Sequence, residues 1–269
     1  MSKVEWLNTK YGRLAWRQDG AFDGVPLLLL QRFRGTMDDW DPDFIAALSQ
    51  KRRIIRVDSA GIGRSDGTVP DTIAGIADVA AEVVRELGLP QVDVLGWSLG
   101  GIIAQQLTLD YPDLVRRLVV AGSSPGAVEG GPEPHPRVSQ VMTKPENDED
   151  DFLFLFYPET ETAKSAGRNS LARIRNQPDR GPNVSAPGFT GQIKAIMSWP
   201  GSLSRADEFR LPMLIANGAH DVMLPAYRSY ALSQKVPNAK LVIYPDAGHG
   251  FLFQEIADFT REVDVFLAK

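Results

Sequence analysis

The chain has 269 residues, 43% of them hydrophobic and 23% charged, so about three quarters of its surface can be buried without disulfide staples, which excludes disorder and collagen-like repeats. With 29 Lys and Arg against 34 Asp and Glu the net charge is −5, and no basic patch stands out beyond Lys51-Arg52-Arg53, so nucleic acid is not an expected partner. There is no cysteine, which excludes a thiolate metal site or a Cys nucleophile; residues 1–10 lack a secretory h-region and the apolar run Val25–Leu30 is too short for a bilayer, so a cytoplasmic protein with no membrane partner is expected.

In chain order, Val4–Leu7 and Leu14–Arg17 read as short strands around the turn-type residues Asn8–Gly12, a predicted hairpin. Pro26–Leu30, Arg53–Asp58, Val92–Trp97, Val115–Ala121, Pro212–Asn217 and Lys240–Tyr244 are apolar runs of the kind buried on both faces of a sheet. Helical periods lie between them at Phe44–Gln50, Ile73–Leu87 (capped by Thr72 or Asp71), Ile102–Asp110, Tyr227–Gln234 and Phe251–Leu267. Strands alternating with helices predict an α/β fold with a mainly parallel sheet and right-handed crossovers.

From Ser124 to about Ala206 no strand-like run occurs. The stretch starts Gly/Pro-rich, passes through the acidic run Glu146–Asp151, then Phe152–Phe156, and carries helix-like segments at Glu159–Asn176 and Gln192–Trp199. It is too long for a loop and reads as a helical insertion covering one end of the sheet, its acidic run a solvated helix start. The expected division is therefore core 1–123, insertion 124–206 and core 207–269.

At the end of the Val92–Trp97 run stands Gly96-Trp97-Ser98-Leu99-Gly100-Gly101. Gly-x-Ser-x-Gly between a strand and a helix is a sharp turn in which the serine is held in a strained conformation. Side chains two positions to either side would collide, so both are glycine. A serine hydroxyl needs a base, and the base needs an orienting partner. Among three histidines, His135 sits between prolines in the insertion and reads as an exposed loop residue. His220 adjoins Asp221, and His249 lies between glycines ahead of the last helix. The chain order Ser, acid, His selects Ser98, Asp221 and His249, and leaves His220 as a packing or pocket-rim neighbour.

With these motifs in hand the chain resembles the α/β-hydrolase superfamily, in particular its compact esterase, enol-lactonase and cofactor-free haloperoxidase group. The resemblance rests on the GWSLGG elbow, Asp58-Ser-Ala-Gly-Ile-Gly-Arg-Ser65, Gly218-Ala-His-Asp221 and Gly248-His249-Gly250. It implies an eight-stranded sheet, a helical cap between strands six and seven, Asp58 as a loop-fixing carboxylate, and no cofactor or metal. After the third strand such proteins carry His-Gly before an oxyanion-hole residue; here the stretch is Gln31-Arg32-Phe33-Arg34-Gly35. By position the backbone N–H groups of Phe33 and Leu99 are the expected oxyanion donors.

The expected activity is hydrolysis of a carboxylic ester or lactone through an acyl-enzyme, by a monomer or homodimer acting on a small molecule. Ser98 at the elbow argues against haloalkane dehalogenases and epoxide hydrolases, which place Asp there. The runner-up is a ligand-binding receptor or weakly hydrolytic sensor on the same scaffold. Arg34, Trp97, Phe156, Trp199 and Val222 are the candidate substrate contacts. Arg32 and Arg34 either bind a carboxylate or polar carbonyl of the substrate or pair with Asp38, Asp39 or Asp41 to hold their loop, and the second reading is favoured.

Overall fold

The computed structural model describes residues 2–21 and 23–268. Eight strands form one sheet: β1 (Glu5–Thr9), β2 (Gly12–Asp19), β3 (Leu27–Leu30), β4 (Ile54–Val57), β5 (Val92–Trp97), β6 (Val115–Ala121), β7 (Met213–Gly218) and β8 (Ala239–Tyr244), in the order β1-β2-β4-β3-β5-β6-β7-β8. The β1/β2 and β2/β4 pairings are antiparallel and all others parallel. Strands β3 and β5 are buried along their whole length, which is why they lack polar alternation.

Helices cover both faces. They are α1 (Pro42–Ser49), α2 (Ile73–Glu86), α3 (Leu99–Asp110), α4 (Arg137–Met142), α5 (Glu149–Phe156), α6 (Glu161–Arg175), α7 (Ala186–Ser198), α8 (Ala226–Lys235), α9 (Phe251–Gln254) and α10 (Ile256–Leu267). The cap of α2 is Thr72, whose hydroxyl accepts from the Gly75 N–H at 3.0 Å. Two large apolar clusters lie on opposite faces of the sheet. Leu27, Leu29, Leu95 and Val119 belong to one, with α1 and α10; Leu28, Val94, Leu118 and Val120 belong to the other, with α2 and α3. That split is the alternation of a strand expressed as two cores.

Some elements differ from the sequence reading. The final helix is broken at Glu255, and α3 begins directly after Ser98 rather than at Ile102. Helix α4 was not foreseen, because its six residues are too few to display a helical period. The acidic run is not wholly solvated. Asp148 caps α5, and Asp151 is 2% exposed; it completes a reciprocal capping box and receives Lys144 Nζ at 2.6 Å.

Between β6 and β7 lie α4 to α7, and this layer is bolted to the sheet by ion pairs. Arg17 on β2 and Asp38 are 1% and 0% exposed. Arg17 Nε donates to Asp38 Oδ1 at 3.0 Å, while its Nη2 reaches the Asp179 backbone carbonyl at 2.7 Å and carboxylate at 3.0 Å. Arg180 donates to Asp39 Oδ1 at 2.9 Å, and Arg173 on α6 donates to Asp41 Oδ2 at 2.7 Å. Asp58 fixes the same loop from below: Oδ1 accepts from the Met37 N–H at 2.7 Å and Oδ2 from the Arg64 N–H at 2.9 Å. Burial nevertheless lifts its pKa to about 6, against those two bonds. Replacing Arg17 by Met strands the buried Asp38 charge. The expected loss is about 3–5 kcal/mol of unfolding free energy, measured by urea denaturation, and faster proteolytic cleavage near residues 177–184; an unchanged denaturation midpoint would show that the pair carries no such weight.

Candidate active site

Loops at one end of the parallel strands converge on the β5–α3 turn. Ser98 has φ 57° and ψ −119°, a conformation that a side-chain-bearing residue holds only when its surroundings enforce it. The enforcement is steric. A Cβ on Gly96 would lie 2.1 Å from the Gly100 carbonyl oxygen, and one on Gly100 would lie 1.9 Å from that of Leu30. The Ser98 N–H donates to the Ala121 carbonyl at 2.9 Å, and Ser123 Oγ donates to the Ser98 carbonyl at 2.7 Å. The serine backbone is thus clamped from the neighbouring strand.

Asp221 follows β7. Its Oδ1 accepts from the backbone N–H groups of Met223 and Leu224, both at 2.8 Å, and its Oδ2 lies 2.7 Å from His249 Nδ1. With the carboxylate as acceptor, Nδ1 carries the proton and Nε2 presents a lone pair. His249 follows β8 and is fully buried. Its ring stacks on Phe156 at 5.6 Å and lies 5.8 Å from Trp97, whose Nε1 donates to the His249 carbonyl at 3.0 Å. Nε2 makes no hydrogen bond among the described residues. It faces a cavity of about 530 Å³ that Ser98 also lines, with Phe33, Arg34, Trp97 and Phe156. The Phe33 and Leu99 amides donate to no backbone or side-chain acceptor among the described residues outside regular elements. For Leu99 this is the ordinary condition of a first helical residue.

The structure therefore brings together Ser98, Asp221, His249, Phe33, Leu99, Arg34, Trp97 and Phe156. Two expected contacts lie elsewhere. Trp199 hands its Nε1 to Gln106 Oε1 at 2.9 Å and packs on the α3 side of the core. Val222 packs into the other core, and its neighbour Met223 lines the cavity instead. Neither His135 nor His220 reaches the cavity. Both are exposed, so His220 is not a rim residue; only its backbone is engaged, with the Ala247 carbonyl at 2.9 Å.

The pairing expected for Arg34 is also corrected. Among the described residues its guanidinium bonds no carboxylate. It donates to the carbonyls of Met142, Lys144 and Pro145 at 3.2, 2.6 and 2.7 Å and to Asn147 Oδ1 at 3.2 Å. Its own N–H meets Gln192 Oε1 on α7 at 3.0 Å. Arg34 thus ties its loop to the α4–α5 connection and to α7. The nearby acids are taken by arginines distant in sequence, Arg17, Arg173 and Arg180, a pairing that chain spacing does not display. Sequence reasoning also missed Tyr157, Ser170 and Arg180 as cavity residues, since nothing local distinguishes them from solvated or packing side chains. Among the described residues no group of three or more His, Asp or Glu is placed to hold a metal ion, and no helix is long and apolar enough to cross a membrane.

Residues 25–256 match the profile of the alpha/beta hydrolase fold family, and the chain belongs to that family. It is 28% identical to a pimeloyl-[acyl-carrier protein] methyl ester esterase of Pectobacterium carotovorum subsp. carotovorum (strain PC1), over 94% of this chain and 98% of that one. It is 27% identical to a putative carbamate hydrolase, RutD, of Caulobacter sp. (strain K31), over 92% of each chain. Among solved structures, an alpha/beta hydrolase fold protein from Chitinophaga pinensis superposes with a TM-score of 0.89 at 31% identity, covering 99% of this chain and 98% of that one.

The elbow contacts generate a direct test. Gly100→Ala must push back the Leu30 carbonyl, which leads into the Gln31–Phe33 segment. The expected result is a loss of about 1–3 kcal/mol, read as a lower Tm, together with a larger fall in turnover than stability alone explains. A variant with wild-type Tm and turnover would mean that the β3 loop yields freely.

Proposed function

We propose that the protein is a serine-dependent hydrolase of carboxylic esters, lactones included. The observation that carries this reading is the His249 ring. It is fixed at Nδ1 by Asp221 and free at Nε2, in a cavity shared with the strained Ser98. In this reading Nε2 takes the proton as Ser98 Oγ attacks the carbonyl carbon. Asp221 holds the tautomer and stabilises the imidazolium that forms. The N–H groups of Phe33 and Leu99 receive the oxyanion. Collapse of the tetrahedral intermediate passes the proton to the leaving alcohol and leaves an acyl group on Ser98. Water, activated by the same imidazole, then releases the acid. The relative named as a methyl ester esterase supports ester chemistry, and the one named as a carbamate hydrolase supports attack at an acyl carbon more broadly.

Two measurements test it. Ser98→Ala should abolish covalent labelling by a fluorophosphonate and cut hydrolysis of short p-nitrophenyl esters by about 10⁴- to 10⁶-fold, with the fold intact by circular dichroism. Retained turnover would remove Ser98 from the mechanism. A ligand-stabilised wild type that neither labels nor turns over would favour a receptor.

His249→Ala should be nearly as damaging as Ser98→Ala, whereas the exposed His220→Ala should stay within a few-fold of wild type, on the order of 1 kcal/mol or less in the barrier. A reversed ranking of the two histidine variants would transfer the base to His220.

A further inference from the structure

The cavity beside Ser98 is lined by four arginines, Arg32, Arg34, Arg175 and Arg180, against two carboxylates, Asp39 and Glu146. Three of the arginines have full-strength partners. Arg34 is held by backbone carbonyls and Asn147, Arg175 Nη1 pairs with Glu149 at 2.9 Å, and Arg180 takes Asp39 Oδ1 at 2.9 Å. Arg32 does not. Its side chain is 12% exposed and approaches Asp39 only to 3.9 Å. Asp39 Oδ2 is already engaged by the Thr36 N–H at 2.8 Å and hydroxyl at 3.1 Å. Among the described residues the one hydrogen bond of the Arg32 guanidinium runs from Nη1 to the Phe33 carbonyl at 2.8 Å. A guanidinium has five N–H donors, so most of them remain uncommitted.

Aromatic rings crowd it on several sides. The guanidinium carbon lies 5.7 Å from the Trp97 ring centroid, 5.7 Å from that of Phe152 and 5.4 Å from that of Phe156. Cation–π contact orients the fork but offers it no acceptor. Burial lowers the affinity of Arg32 for its proton, and the distant Asp39 only partly offsets this. A second polar group in the cavity is also idle. Ser170 Oγ is buried, its residue 1% exposed, with no hydrogen-bond partner among the described residues. Tyr157 lines the same cavity within hydrogen-bonding reach of Ser170, and its hydroxyl feels the charge of Arg32. A part-buried cation with donors left over favours an anion within reach, and a buried unmatched hydroxyl favours a polar partner. One acidic ligand would serve both.

We infer that Arg32, with Ser170 and Tyr157 beside it, binds a free carboxylate of the substrate, so that the preferred substrates are half-esters of short dicarboxylic acids. This rests on the ester-hydrolase reading. The location sets the role. Arg32 immediately precedes the Phe33 donor, and its guanidinium packs on Trp97 and Phe156, the two rings that flank His249. A carboxylate held there anchors the acyl chain near the reacting serine. One uncommitted guanidinium and neutral hydroxyls balance the single charge of a carboxylate better than the two charges of a phosphate monoester.

The test compares mono-p-nitrophenyl glutarate with p-nitrophenyl pentanoate, a neutral ester of equal acyl length. Wild type should favour the anionic ester in kcat/KM by about 10- to 100-fold, the worth of a charge-assisted hydrogen bond. In Arg32→Met that ratio should fall to about one, and Arg32→Lys should restore part of it, since the charge returns without the fork. Glutarate, and not inorganic phosphate, should raise the Tm of wild type and leave that of Arg32→Met unmoved. A wild-type ratio near one, or a ratio that survives in Arg32→Met, would overturn the inference while Ser98-dependent labelling leaves the hydrolase standing. Stabilisation by phosphate in place of glutarate would overturn the carboxylate as ligand. Should Arg32→Met not fold, the wild-type ratio and the glutarate shift decide alone. Failure of all labelling and turnover, with glutarate still stabilising the wild type, would strike the hydrolase reading and spare the anion site.

Discussion

The turn from β5 into α3 has no room for a side chain at residue 96 or 100, and the rest of the site is arranged around that restriction. Because the Leu30 carbonyl would lie 1.9 Å from a Cβ on Gly100, the β3 loop sits hard against the start of α3. Ser98 accepts a left-handed backbone in exchange, at a cost on the order of 1–3 kcal/mol. Parallel strands make the arrangement general. Phe33, Ser98, Asp221 and His249 all follow strands that run the same way, so residues scattered over the chain share one rim.

The helical layer over that rim is held by buried ion pairs as well as by apolar contact. Asp38, Asp39 and Asp41 are buried, and each faces an arginine, from β2, from the α6–α7 connection and from α6 in turn. Buried pairs of this kind add little net stability over apolar packing, but they tolerate no substitute geometry. They therefore set the position of the layer and, with it, the shape of the cavity. Arg34 extends the same principle to neutral acceptors by gathering the carbonyls of the α4–α5 connection. Arg32, one residue before Phe33, approaches its nearest carboxylate, Asp39, only to 3.9 Å.

Much of this was legible before any coordinates. The buried runs at Leu27–Leu30, Val92–Trp97 and Val115–Ala121 announced themselves because a strand covered on both faces has no polar alternation. The two glycines around Ser98 carried their own steric reason, and the relation of His249 to Asp221 followed from chain order. Element ends were less visible: α3 starts at Leu99 because the strained turn launches it, and no residue type marks that. Helix α4 was invisible, as six residues cannot show a period.

What the amino-acid sequence determined by itself was local or periodic: the α/β alternation, the glycine-flanked Ser98 turn, and the chain order of Ser98, Asp221 and His249. Only the tertiary structure decided which charges meet. Arg34 could have paired with the acids four to nine residues downstream; instead those acids are claimed by Arg17, Arg173 and Arg180, and Arg34 turns to carbonyls more than a hundred residues away. Trp199 and Val222 were likewise lost to the site, and Tyr157, Ser170 and Met223 gained, by where the cap helices and the β7 loop lie. Side-chain partners across an insertion depend on how two layers dock, and that docking is a sum of many distant contacts with no signature in any one stretch of chain.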